Sequence, residues 1–207
     1  MIITIDGYSC TGKSTIAKLL AQKLKYKQVN SGLIYRYFGY ALLQNEITML
    51  DFNRKSSTIK SIILDLKINL PDLEKNIETL KKKKVSEIGK LIAKEQYARN
   101  IVDSYIQSVS CNNNIVVEGR DIGVTVFPNA DYKFFFIAND QVRANRLCKQ
   151  RKSDNLAETL REIKERDNDD ETRANSPLKK AIDAIEIDTS NKNENEILND
   201  ILDVIKK

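Results

Sequence analysis

Nine consecutive residues, Gly7-Tyr8-Ser9-Cys10-Thr11-Gly12-Lys13-Ser14-Thr15, carry the clearest chemistry in this chain. Two glycines let the backbone curl into a nest of N–H donors, and Lys13-Ser14 closes the segment. This G-x-x-x-x-G-K-S spacing suits a polyphosphate. Lys13 reaches the β- and γ-phosphates, and the Ser14 hydroxyl coordinates Mg²⁺. Such a loop works only between a strand and a helix N-terminus, whose dipole reinforces the nest. Ile2-Ile3-Thr4-Ile5 supplies the strand. Lys13 to Lys25 supplies the helix, with Ile16, Leu20 and Leu24 on one stripe. Binding of a nucleoside triphosphate, taken as ATP, is the starting inference.

Two further constellations are charged. Glu118-Gly119-Arg120-Asp121 ends the apolar run Ile115–Glu118, and ligands of open parallel sheets sit beyond the carboxyl ends of strands. Glu118 fits the acidic residue that holds the water shell of a phosphate-bound Mg²⁺, and Gly119 permits close approach of another group. Arg166, Asp170 and Arg173 stand at i, i+4 and i+7, one face of a helix, where a carboxylate between two guanidinium groups makes a fork for phosphate oxygens. Ordinary surface ion pairs are the competing reading of that helix. Arg99 is a weaker candidate for a substrate phosphate, and Arg143, Arg146 and Arg151 are candidates for covering ATP. The chain has no histidine, which excludes imidazole acid–base chemistry and histidine metal sites. Phosphoryl transfer to a phosphate survives that exclusion, because a phosphate monoester with a second pKa of about 6 is largely a dianion at neutral pH and needs no base.

The positioning elements follow from periodicity. Strand-like runs at Ile2–Ile5, Ile115–Glu118, Tyr132–Ile137 and Ala184–Ile187, with a short one at Gln28–Val29, alternate with helical stretches. That pattern predicts an α/β fold with a central parallel sheet between helical layers. Two regions fit the sheet poorly. In the first, Ile34–Gln44 reads as a helix. Ile62–Leu70 and Lys75–Val85 read as a small antiparallel hairpin or a helical pair, and the alternation Ile62, Leu64, Leu66, Ile68, Leu70 favours a strand for the first limb. The lysine run 81–84 reads as a solvated strand edge, and Glu87–Val109 as one helix. In the second, the stripe Leu156, Leu160, Ile163 stops while a polar helix continues to Arg173, either projecting into solvent or covering a charged ligand. Glu194–Ile205 reads as an amphipathic helix closing the core.

Bulk properties agree with a folded enzyme. The 207 residues are 41% hydrophobic and 30% charged, and 34 Lys and Arg stand against 29 Asp and Glu, a net charge of +5. That surplus suits nucleotides and is too small to point to nucleic acid. The chain enters a strand at once and has no run long enough to span a bilayer, so a cytoplasmic protein without membrane association is expected. Three scattered cysteines suggest no disulfide framework.

Taken together, these residues resemble the bacterial cytidylate kinases, a branch of the nucleoside monophosphate kinases. The matching segments are Thr4–Gly7 with the phosphate loop, Ser31-Gly32-Leu33-Ile34-Tyr35-Arg36, Glu118–Gly123 with Val126–Ala130, and Glu162–Asp167. The resemblance implies a P-loop core (1–29, 111–139 and 178–207), a monophosphate-binding insertion (30–110) and a helical lid (140–177). It implies an enzyme that moves a phosphoryl group from ATP, with Mg²⁺, to CMP or dCMP; a monomer is expected. Ser31, Arg120 and Asp121 would hold the cytosine and sugar end, with Tyr35, Arg36 and Gly119 beside them. Arg99 and Arg173 would contact the CMP phosphate. Arg166 would bridge donor and acceptor phosphates, Asp170 would contact the sugar or orient the arginines, and Lys13, Arg120, Arg166 and Arg173 would carry the catalytic charge. Ser14 and Glu118 would hold the metal. Three positions depart from the family pattern. Asn30 replaces an aspartate, Tyr8 a proline, and Lys90 falls where a serine helps read cytosine. These bear on base and sugar selectivity more than on phosphoryl transfer. The alternatives are a kinase of another monophosphate or of a small hydroxyl acceptor, with Asp6 or Asp121 as base. A nucleotide switch is a third, for which Asn191-Lys192-Asn193-Glu194 is a faint guanine-reading motif.

Overall fold

The structure, a computed structural model, describes residues 1–206. The chain divides into two compact units, Met1–Gln28 together with the chain from Asn112 onward, and Val29–Cys111.

The sheet has five strands: β1 (Ile2–Gly7), β3 (Ile115–Glu118), β4 (Tyr132–Ile137) and β5 (Ile185–Asp188) lie in the first unit, and β2 (Lys27–Asn30) spans the boundary between the units. Their order is β2-β3-β1-β4-β5, and β1 pairs in parallel with both β3 and β4. The expected α/β architecture is borne out. The three inner strands, β3, β1 and β4, are the near-continuous apolar runs expected of parallel strands buried on both faces, whereas the edge strands β2 and β5 are more polar. Ile3, Ile5, Val116, Phe134 and Phe136 meet Ile16 and Leu20 of α1 (Lys13–Leu24) and Ile197 and Ile201 of the C-terminal helix, Glu194–Ile205, in one core. That last helix starts on a capping box made by Asn193 and Glu196. The segment that hinted at guanine reading is thus a helix cap.

The second unit is helical. α2 (Ser31–Gln44) is followed by a 3₁₀ turn at Met49–Asp51, then α3 (Ser56–Asp65), α4 (Leu70–Lys75), α5 (Ile77–Leu80), α6 (Lys83–Ile92) and α7 (Gln96–Ser110). Three sequence expectations are corrected here. Ile62–Leu70 is not a strand: Ile59 and Ile63, one helical turn apart, are the buried residues, whereas Leu64 is 56% exposed. The helical spacing wins because it is the one that buries apolar surface. Beyond Asp65 the chain runs extended until Pro71 helps start α4. The lysine run 81–84 is solvated as expected but leads into α6 and forms no strand edge. The single helix expected over Glu87–Val109 is two helices, interrupted at Ala93–Glu95.

Two more helices complete the first unit, α8 (Asp140–Arg151) and α9 (Leu156–Thr172), and the C-terminal helix is α10. No described helix is long and apolar enough to cross a membrane.

Candidate active site

The phosphate loop takes its expected form between β1 and α1. Gly7 adopts φ 136°, and a Cβ there would lie 2.2 Å from the Phe136 carbonyl oxygen, so no other residue fits. Gly12, at φ 92°, is the residue that opens α1, which leaves the helix N–H groups facing the loop. Thr11 and Ser9 are buried, and Cys10 is half-buried. Lys13 is buried too, its ammonium donating to the Tyr8 carbonyl across the loop. Burial holds its pKa well below the usual lysine value, and the neighbouring Arg120 and Arg166 charges add to that, against the pull of Glu118.

β3 delivers the next group. Ser14 Oγ donates to Glu118 Oε2 at 2.6 Å, and Gln28 Nε2 to Glu118 Oε1 at 3.3 Å. Burial raises the Glu118 pKa against these bonds. Just past the strand, Arg120 donates to Asp170 at 2.8 Å and to the Gly7 carbonyl at 3.1 Å. The turn is fixed from below. The Asp6 carboxylate accepts the backbone N–H groups of Ile122 and Gly123 at 3.0 and 2.8 Å. That occupation removes Asp6 from the role of an acceptor base.

α9 supplies the rest. Asp170 lies between Arg120 and Arg173, and Arg173, just beyond the helix, also reaches Asp121 at 3.4 Å. Burial alone would raise the Asp170 pKa, but the Arg120, Arg166 and Arg173 charges together bring it down to about 2. Arg166 sits beside them, its pKa lowered by burial and by Arg120. Its Nε is buried without a hydrogen-bond partner among the described residues. The polar half of α9 therefore does not project into solvent. It lies on the phosphate loop through Asp167, which accepts from Ser9 N–H and Oγ and from Arg143.

Lys13, Ser14, Glu118, Arg120, Asp121, Arg166, Asp170 and Arg173 thus gather at one end of the sheet unit. Ser31, Tyr35, Arg36 and Arg99 belong to the helical unit. Ser31, Tyr35 and Arg36 stand on the first turns of α2, which Asn30 caps by accepting from Leu33 N–H. Arg99 is buried on α7, with its guanidinium 5.9 Å from the Tyr35 ring centre. Arg146 serves structure, bonding the Thr189 carbonyl, while the Thr189 hydroxyl donates to Thr11 O. Arg151 pairs with Glu162, nearly two turns into α9. Sequence reasoning had not singled out Asp167 or Thr189. Asp167 carried one signal, its place beside Arg166 on a helix without an apolar face.

A parallel sheet whose first loop is a phosphate nest, with lysine and arginines converging on it, defines a P-loop phosphotransferase. Solved structures agree in fold alone. They include a shikimate kinase from Bacteroides thetaiotaomicron (TM-score 0.51, 14% identity, 100% of this chain and 99% of that one) and a gluconokinase from Sinorhizobium meliloti (TM-score 0.51, 12%, 99% and 90%). The family model described as cytidylate kinase matches residues 3–207. A cytidylate kinase of Fusobacterium nucleatum is 36% identical over 214 residues, covering 100% of this chain and 98% of the relative. One of Fervidobacterium nodosum is 39% identical over 217 residues, covering 99% and 96%. The chain belongs to the cytidylate kinase family.

Proposed function

We propose that this protein is a monomeric cytoplasmic enzyme that transfers the γ-phosphoryl group of ATP to CMP or dCMP, forming ADP and CDP or dCDP. The observation that carries this reading is the crowding of Lys13, Arg120 and Arg166 at the phosphate loop. Burial and mutual repulsion lower the pKa of Lys13 and Arg166, an arrangement that costs free energy in the free protein and is relieved by polyphosphate charge. Lys13 binds the donor's β- and γ-phosphates, and the loop N–H groups of residues 7–15 hold the rest. Arg166 and Arg120 stabilise charge on the group in transit, and Arg173 and Asp121 orient the acceptor. Ser14 and Glu118, two hard oxygen donors 2.6 Å apart, fit Mg²⁺. When bound, that ion neutralises charge on the phosphate oxygens. Ser31, Tyr35, Arg36 and Arg99 are read as the monophosphate-binding residues of the insertion 30–110, and 140–177 as the lid.

Phosphate-to-phosphate transfer needs no general base, which accords with the absence of histidine and the engagement of Asp6 by backbone. The test is ADP release from MgATP with CMP, dCMP, UMP and AMP offered singly. CMP and dCMP are expected to support turnover. Turnover with AMP and none with either cytidine nucleotide overturns the reading.

A further inference from the structure

One group of contacts joins the phosphate loop to α9. The Tyr8 hydroxyl donates to Glu171 Oε1 at 2.7 Å. Its ring is held on two sides: edge-on to Phe135, with centres 5.9 Å apart at 80°, and under the Arg143 guanidinium, 5.3 Å from the ring centre. Arg143 itself reaches the Ser9 carbonyl, Asp140 and Asp167. Two successive loop residues, Tyr8 and Ser9, therefore grip two residues of α9, Glu171 and Asp167.

The spacing gives the grip its meaning. Asp167 and Glu171 are i and i+4 and share one face of α9. Arg166 and Asp170 share the next face, about 100° round. The Arg120–Asp170 pair already holds the Arg166 face of α9, and Asp167 holds the next face at one point. The Tyr8–Glu171 contact, one turn past Asp167, adds a second hold on that face, which resists rotation of the helix about its own axis and so helps fix where Arg166 points. We propose that Tyr8, through Glu171, is a positioning residue that seats Arg166 over the phosphate loop before nucleotide arrives. The proposal rests on the kinase reading for its effect on rate, though not for the latch itself. The hydrogen bond to Glu171, with burial and nearby carboxylates, pushes the Tyr8 pKa up to about 12, so the hydroxyl remains a donor throughout the working pH range. A shift of the arginine by about 1 Å is enough to slow a transfer that depends on alignment.

The test compares the full-length wild type with Tyr8→Phe, Glu171→Gln, Glu171→Leu and the Tyr8→Phe/Glu171→Leu pair. Steady-state kinetics with CMP and MgATP is one readout. Amide hydrogen exchange over 156–172 in the nucleotide-free protein is the other. Loss of one hydrogen bond of this kind is expected to lower kcat about fivefold in Tyr8→Phe, with KM for CMP within about twofold. Glu171→Leu should match it, and the pair should be no worse than either single change. Glu171→Gln should retain most of the rate, because its amide oxygen still accepts from Tyr8. Exchange over 166–172 should quicken in Tyr8→Phe and Glu171→Leu and stay slow in Glu171→Gln. Wild-type kcat and exchange in Tyr8→Phe, or strictly additive losses in the pair, overturn the proposal. If the wild type turns over no nucleoside monophosphate, the kinase reading fails, and the exchange rates still decide the latch.

Discussion

The sheet unit and the helical unit are held together by different means. Of fourteen buried polar or charged residues among those described, twelve lie in the sheet unit, and Ser31 and Arg99 in the helical one. Burying charge is unfavourable unless it is paired, and evolution retains it chiefly where chemistry requires it. The sheet unit accordingly ties its loop, the β3 turn and α9 into a network of carboxylates and guanidinium groups. The helical unit closes on apolar side chains such as Phe38, Leu42, Ile63, Leu80 and Ile92, and on helix backbones brought close together. Where α2 crosses α6 the backbones approach so closely that a Cβ on Gly39 would lie 2.7 Å from the Val85 carbonyl oxygen. One unit is organised around charge that waits for a ligand, the other around volume.

The contrast makes opposite demands on substitutions. Arg166→Ala removes a cation aimed at the group in transit and leaves a cavity rimmed by charge, so kcat should fall by about 10³. The melting temperature should hold or rise, since Arg166 is desolvated and repelled by Arg120. A variant that unfolds, or that keeps its rate, breaks the distinction. Gly39→Ala reverses the pattern. Backbone cannot give way as a flexible side chain would, so overpacking should cost about 1–3 kcal/mol, read as a lower midpoint in thermal or urea denaturation. The residual folded fraction should phosphorylate CMP at a normal kcat.

The same contrast governs what could be read from the chain. Groups that act through their own neighbours were legible. The phosphate loop declares itself by two glycines and Lys-Ser, and the β3 turn by charge following an apolar strand. In the helical unit, where packing decides, two periodicities overlapped. Ile62 to Leu70 alternates, yet Ile59 and Ile63 also stand one turn apart, and only the partner surface chooses between them. The interruption between α6 and α7 contains neither glycine nor proline, the residues that usually announce one. Within the sheet unit the illegible contacts were the distant ones. Ser9 meets Asp167 across 158 positions, and Thr189 meets Thr11 across 178. No local pattern encodes such pairs.

Asp6 offers the finest cut between the two kinds of stabilisation. Burial raises its pKa to about 6, and its two bonds from Ile122 and Gly123 only partly counter that. In the unfolded chain an aspartate titrates near 3.9. Between these values the native state binds more protons than the unfolded one, so stability falls as pH rises through that window and is greater at pH 4 than at pH 7, by about 2 kcal/mol from this group. Asp170 acts in the opposite sense and in a different range. With a native pKa of about 2, its contribution is complete above pH 4 and is lost between 4 and 2. Asp6→Asn should therefore flatten the pH dependence of the urea midpoint between 4 and 6 and leave the acid limb below 4 in place. An unchanged slope in the upper window would mean that Asp6 carries its charge at no cost. The sheet unit would then owe its stability to its polar network as directly as the helical unit owes its own to packing.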